Sequence, residues 1–226
     1  MLVAGFPAQL FGTNCYVVAP APGEECVVVD PGVGIDDDLD AVLREHRLRP
    51  VAVLLTHGHL DHVYAVTPVC GARGIPAYVH AADRYRLDDP VALLGPDLLA
   101  AFGGRLTWTE PDDLRPLGDG DVLPLAGLEV TVDHAPGHTE GSVLFRLPGG
   151  GDDEPPACLS GDVLFAGSVG RTDLRGGDPD AMLRSLRDKI LPLPDETVVL
   201  PGHGPATTIG RERGSNPFLT GAVAAR

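Results

Sequence analysis

The amino-acid sequence predicts one α+β domain built in layers, and three observations carry that reading. The length of 226 residues suits a single sizeable core. Short apolar runs rich in β-branched residues recur along the chain, closed by Gly, Pro or Asp, which is the pattern of strands. Amphipathic stretches lie between them, and an order of strands followed by a helix appears in both halves.

Residues 2–6, 13–19 and 25–30 read as three successive strands, parted by turn residues at Gly12 and at 20–23. Asp30-Pro31-Gly32 stops the third. Asp30 has two readings: a turn-initiating acid, or an acceptor that orients a metal-binding imidazole. Residues 36–46 place Leu39, Val42 and Leu43 on one face and acids at the start, so a helix is expected with its dipole complemented. His46, among Arg44, Glu45 and Arg47, reads as solvated.

Residues 51–55 follow a proline and form a short β-branched run, hence a buried strand. A helix start at 63–70 with a stop at 71–74, and a strand at 77–80, come next, His80 being a packing residue at a strand end. Residues 90–102 read as a largely apolar helix. The proline-rich, acidic stretch 108–117 reads as the connection between the halves. Strands are expected near 121–125, 128–134, 142–147 and 157–160, a surface loop at 149–156, a helix at 178–190 and a last strand at 197–200. One domain spans 1–220, and residues 221–226 form a disordered tail.

Composition narrows the function. A hydrophobic content of 43% argues for an ordered globule. A net charge of −15 disfavours nucleic acid and anionic membranes as partners, since both call for basic surface. Cys15, Cys26, Cys70 and Cys158 are dispersed, with no Cys-x-x-Cys pair, and read as buried free thiols in a reducing compartment. Residues 1–20 lack the pattern of a secretory signal, and no run approaches the roughly 18 apolar residues that span a membrane, so a cytoplasmic protein is expected.

The chemistry is concentrated after the strand at 51–55, in Thr56-His57-Gly58-His59-Leu60-Asp61-His62. Neutral imidazole and carboxylate are ligands for zinc, iron or manganese. A solvated histidine-rich loop is the competing reading. Against it, His138, Asp162 and His203 each follow an apolar strand signal and come directly after a glycine, where the backbone can turn tightly beside an ion. Strands sharing a layered sheet, with like ends at one edge, would bring all seven side chains together.

In this order, His57-Gly58-His59-Leu60-Asp61-His62, the run from Pro136 through His138 to Ser142, Ser160-Gly161-Asp162 and Pro201-Gly202-His203-Gly204-Pro205 resemble the metallo-β-lactamase superfamily, over about residues 10–219. The run from Leu164 to Asp173 and Asn216-Pro217-Phe218-Leu219 resemble its short bacterial glyoxalase II branch, the hydroxyacylglutathione hydrolases. The resemblance implies a four-layer αββα sandwich with the metal site at one edge of the two sheets. It implies two divalent metal ions, zinc favoured, with iron or manganese accepted by the same donors. One ion falls to His57, His59 and His138, the other to Asp61, His62 and His203, with Asp162 between them. Asp61 and Asp162 are thereby placed in catalysis, and a water activated between the ions would attack a thioester carbonyl.

The substrate implied is a small acyl-thiol such as S-lactoylglutathione. A thiolate leaves without strong protonation, and no separate general acid stands out; His134 reads as a structural neighbour. Arg171 and Asp173 are the substrate-facing candidates, Arg171 either meeting a carboxylate or pairing with Asp173. Asp173 and Pro205 stand where longer glyoxalase II enzymes carry tyrosines, and the stretch after His203 is short, so the thiol carrier is left open, as is oligomeric state. The rivals are a mononuclear-iron persulfide dioxygenase of the same fold and a metal-binding module without activity.

Overall fold

A computed structural model of the chain describes residues 1–91, 94, 106–150 and 154–224, with side chains described through 220. The first sheet runs in spatial order β1 (Leu2–Pro7), β2 (Asn14–Ala19), β3 (Glu25–Val29), β4 (Arg49–Leu54), β5 (Ala77–His80) and β6 (Leu114–Leu117). The first three are antiparallel, and β3 to β6 are parallel. The second sheet orders β14 (Thr207–Thr208), β13 (Val198–Pro201), β10 (Ala157–Gly161), β9 (Val143–Leu147), β8 (Leu128–His134) and β7 (Val122–Leu125). Here β10 and β13 are parallel and the remaining pairs antiparallel. Strands β11 (Leu164–Phe165) and β12 (Ser168–Val169) form a small hairpin.

Alternation along the central strands shows how the layers stack. Tyr16 and Val18 of β2, and Val27 and Val29 of β3, face Val130, Val132, Val143, Phe145 and Leu159 of the second sheet in one buried cluster. The intervening Val17, Ala19, Cys26 and Val28 point the other way, onto Leu39 and Leu43 of α1 (Asp36–His46) and, past the single turn α2 (Leu60–Val63), onto Val66, Val69 and Cys70 of α3 (Val66–Arg73). On the far side, Leu144, Cys158 and Val199 meet Met182 of α4 (Pro179–Ser185) and Leu186 and Ile190 of the π-helical turn that continues it. Helix, sheet, sheet, helix is therefore the layering. Strands apolar on both faces are what such burial requires. The four-layer α+β sandwich implied by the resemblance is the observed fold.

Several boundaries differ from expectation. Residues 114–117 are not connection but β6, the edge of the first sheet, where Pro116 sacrifices no needed N–H. Strand β4 begins at Arg49, so Pro50 lies inside it, and Gly71 continues α3, which stops at a left-handed Gly74. The expected helix at 90–102 falls largely outside the described residues; Pro90 and Val91 lie in a turn. In the loop at 149–156, residues 151–153 lie outside them too. Past the last expected strand, β14, α5 (Ile209–Ser215) and α6 (Pro217–Ala224) were not anticipated, and α6 carries the chain helically to Ala224 where a tail was expected. All four thiols are free and buried. Among the described residues, no helix is long and apolar enough to cross a membrane.

Candidate metal centre

The parallel pairings bring the site to one edge. Val29 pairs with Leu54, so β3 and β4 release Asp30 and Thr56 side by side. Gly161 pairs with Pro201, so β10 and β13 release Asp162 beside Gly202-His203, with a Gly202 N–H to Gly161 O bond of 2.8 Å. Backbone bonds tie the sheets together here, among them Asn14 N–H to Gly202 O at 2.7 Å and Val143 N–H to Thr56 O at 2.9 Å. Gly202 is required, because a Cβ there would run into Asp162 Oδ1 and His62 Cε1. Gly137, before His138, has φ 141 and packs against the Met182 backbone, where only glycine fits.

All seven predicted side chains meet at this edge, in groups whose ligand atoms lie within 4.8 Å of one another: His57, His59 and His138; His57, His62 and Asp162; Asp61, His62 and His203. His59 Nδ1 lies 3.1 Å from His57 Nε2 and 2.9 Å from His138 Nε2. In the second set, His203 Nε2 stands 3.2 Å and His62 Nε2 3.5 Å from Asp61 Oδ2. Asp162 lies between the sets, its Oδ2 3.5 Å from His138 Nε2 and 3.6 Å from His203 Nε2, and its Oδ1 3.4 Å from His62 Nε2.

Partners behind the rings settle which nitrogen faces inward. Thr56 Oγ1 donates to Asp30 Oδ2 (2.6 Å), so it accepts from His57 Nδ1–H (3.1 Å). His62 Nδ1–H donates to Asp30 Oδ2 (2.8 Å) and His138 Nδ1–H to the Arg171 carbonyl (2.8 Å). In each ring the Nε2 lone pair is thereby turned inward, the arrangement of metal-binding histidines. Of the two readings of Asp30, orientation of an imidazole is the observed one; it also accepts the Thr56 N–H at 2.8 Å.

The electrostatics divide the same way. Burial, reinforced by neighbouring imidazoles, holds His57 well below the ordinary histidine range and His59 down at about 3, and burial also lowers His138. Each shift favours the neutral ring, the form in which an imidazole can bind a metal. Burial works against charge on His62, yet Asp61, Asp162 and Asp30 outweigh it and raise its proton affinity; a hydrogen bond to Asp61 raises His203. Burial alone would raise Asp61 and Asp162, but the surrounding imidazoles hold both below the usual carboxylate range, and Thr13 Oγ1–H donates to Asp61 Oδ2 at 2.8 Å. Surroundings that favour a proton on His62 favour a metal cation equally.

The donors fit divalent ions. Four ligands 2.0–2.1 Å from a tetrahedral ion sit about 3.3 Å apart, close to the spacings here. Among the described residues, His62 Nε2 and Asp162 Oδ1 are buried with no hydrogen-bond partner, a costly state that metal coordination would relieve.

The model of the metallo-β-lactamase superfamily matches residues 8–203. The chain belongs to the metallo-β-lactamase superfamily. Among its relatives, an uncharacterised protein of Mycobacterium tuberculosis is 49% identical over 222 residues, 98% of this chain and 99% of that one. A probable metallo-hydrolase of Bacillus subtilis is 37% identical over 88% of this chain and 89% of its own. The hydroxyacylglutathione hydrolase GloC of Haemophilus influenzae is 34% identical over 94% and 95%. Of solved structures, the B3 metallo-β-lactamase BLEG-1 superposes with a TM-score of 0.83 at 41% identity, covering 97% of this chain and 100% of that one. A di-iron-bound protein, TTHA1623, does so with 0.78 at 40%, covering 96% and 100%. ETHE1 of Myxococcus xanthus, at 23% identity, 98% and 85% coverage and a TM-score of 0.77, shares the fold.

Beside this superfamily site opens a cleft of about 380 Å³, lined by His59 and Asp61, by apolar Phe11, Leu60 and Leu174, and by Arg86, Arg171 and Arg175. Arg171 grips Asp173 through two bonds of 2.7 and 2.8 Å, the structural pairing. Its backbone carbonyl is what holds His138. His80 and His134 stay outside the centre, their rings stacked 3.9 Å apart; His80 accepts the Ala82 N–H and His134 bonds the Glu140 carbonyl. His46 ends α1 away from the site. Thr13, which bonds Asp61, and Asp83, which bonds the Gly58 N–H, were missed, because each reaches the site through a tertiary contact that no local pattern announces.

Proposed function

We propose that this chain is a metal-dependent hydrolase of acyl thioesters, with S-lactoylglutathione or a related hydroxyacyl-thiol as substrate. The observation that carries the reading is the convergence of two donor sets, with Asp162 lying between them, at the mouth of a partly apolar cleft. The likeness to a hydroxyacylglutathione hydrolase supports the substrate class. So does the cleft wall: among the described residues, its only acid–base groups besides arginine are the donors His59 and Asp61. A thiolate of pKa about 8.5 departs unprotonated, whereas an amide nitrogen needs a proton.

His57, His59 and His138 would hold one ion, Asp61, His62 and His203 the other, with Asp162 shared. Divalent ions there supply Lewis acidity toward the carbonyl and a nucleophilic water at neutral pH. The residues do the rest. Asp30, Thr56 and the Arg171 carbonyl fix the imidazole planes, and Thr13 fixes Asp61. Phe11, Leu60 and Leu174 exclude water from the acyl-thiol chain.

The polar end of the thiol would meet Arg175. Its guanidinium lies over the Tyr85 ring at 5.6 Å, and no carboxylate is within ion-pair reach among the described residues, whereas Arg171 is engaged by Asp173. Arg175→Ala is expected to raise KM for S-lactoylglutathione about tenfold at unchanged kcat, since remote binding is lost equally from ground and transition states. KM for an uncharged thioester should not move, and Arg171→Ala should have the smaller effect. Steady-state kinetics on both substrates decide it; an equal loss on both would remove Arg175 from substrate binding. The same assay tests the function, with a persulfide and a chromogenic cephalosporin as further arms. Thioester turnover that stops on chelation and returns with metal supports the hydrolase. Sulfite from the persulfide, without thioester turnover, would overturn it.

A further inference from the structure

The three-imidazole set is assembled from two sheets, His57 and His59 following β4 and His138 following β8, so something must hold the two loops at ligand spacing. We infer that Asp83, on the 3₁₀ helix Ala81–Leu87, is the positioning residue that does so. The inference rests on the metal-binding half of the function proposed above.

Asp83 is fully buried. Its Oδ2 accepts the Gly58 N–H at 2.8 Å, between His57 and His59, and the Thr139 hydroxyl at 2.7 Å, next to His138. Its Oδ1 accepts the Gly141 N–H at 2.8 Å, further along the His138 loop, and Arg86 Nε–H at 3.2 Å. One carboxylate thus binds both ligand loops at once, and four donors leave little of its capacity unused. The loops close directly on it: a Cβ at Gly141 would strike Asp83, and one at Gly58 would strike Arg86. Arg86, 2% exposed, balances the charge and reaches on to Glu140 Oε2 at 2.6 Å and the Arg175 carbonyl at 2.7 Å. The same helical turn therefore connects the donors to the loop that lines the cleft. Asp83 hydrogen-bonds to none of the seven donor side chains, so it acts through backbone placement of His59 and His138, whose ring nitrogens are 2.9 Å apart.

The test is zinc affinity, measured on the full chain by competition with a chromophoric chelator. Asp83→Asn turns one acceptor into a donor facing the loops and is expected to weaken the three-imidazole site about 10- to 100-fold. Thr139→Val keeps the volume but removes the hydroxyl that donates to Asp83 Oδ2 and meets Ser142 Oγ at 2.8 Å; it is expected to cost about fivefold in zinc affinity, with a fall of only a few degrees in the melting temperature of the metal-free protein. Both losses should persist in a His203→Ala background, where the second set is disabled. Wild-type affinity in Thr139→Val and in folded Asp83→Asn would overturn the inference, as would equal weakening of both ions in Thr139→Val. If Asp83→Asn does not fold, Thr139→Val alone decides. Because the readout is metal binding, a parent protein without thioester turnover would refute the proposed substrate and leave this inference standing.

Discussion

Asp162→Ala is expected to lower metal occupancy and turnover together, kcat falling by about 10²- to 10³-fold. Asp162 lies between the two donor sets, with Oδ2 3.5 Å from His138 Nε2 and 3.6 Å from His203 Nε2. It follows Gly161 at the end of β10 and is nearly buried, so its charge is little screened. Removing it strips charge from both positions at once, and alanine offers no replacement donor. Asp162→Asn keeps the shape without the charge and should fall between. Metal content and thioester hydrolysis, measured on the same preparations, check the result. Full activity with an unchanged metal content in Asp162→Ala would show that no ion depends on it.

Asp30→Ala is the second large effect, and it acts first on stability. Asp30 is buried, and its carboxylate accepts from Thr56 N–H, Thr56 Oγ1–H and His62 Nδ1–H at 2.6 to 2.8 Å. Truncation leaves three donors dry and unpartnered, at roughly 1–3 kcal/mol each before relaxation. The backbone adds to this, since Asp30 sits at φ 51, a left-handed conformation that Asp and Asn tolerate better than alanine does. A net loss of about 3–5 kcal/mol is expected, a fall in melting temperature of roughly 10 °C or more for a chain of this size. Because His62 loses the bond that sets its ring, zinc affinity should also drop about 10- to 100-fold. Asp30→Asn, keeping the φ and one acceptor oxygen, should be milder on both counts. Thermal melts of the metal-free proteins separate the two effects; a melt unchanged in Asp30→Ala would refute the account of this buried network.

The residues that converge at this edge were legible because their signal is local. Three imidazoles and a carboxylate directly after a buried strand need no knowledge of the fold, and glycine before His138, Asp162 and His203 marks tight turns. What the sequence withheld is set by long-range contact. Strand β6 carries Pro116 and acidic neighbours, and becomes a strand only because the edge of a sheet tolerates a missing N–H. Strand β14 is two residues long, and α5 holds two glycines and no continuous apolar stripe. That helix stands on Thr208 accepting the Arg211 N–H and on buried Glu212, which receives Thr207, Asn216 and the Gly167 N–H. Asp83 reads in sequence as one more acid in a polar stretch. Its role emerges only when one loop 25 residues before it and another more than fifty residues after it close on its carboxylate. Arg171 could be read two ways until its bidentate grip on Asp173 was seen.

The account turns on two ions sharing Asp162 and acting on a thioester, and a metal titration followed by S-lactoylglutathione hydrolysis tests it most directly. Metal-free chain is given zinc, iron(II) or manganese in steps, and bound metal and turnover are read at each step. The account predicts saturation near two ions per chain, with full turnover reached only as the second ion binds. Full activity at one equivalent, or two bound ions with no thioester cleaved, would contradict it.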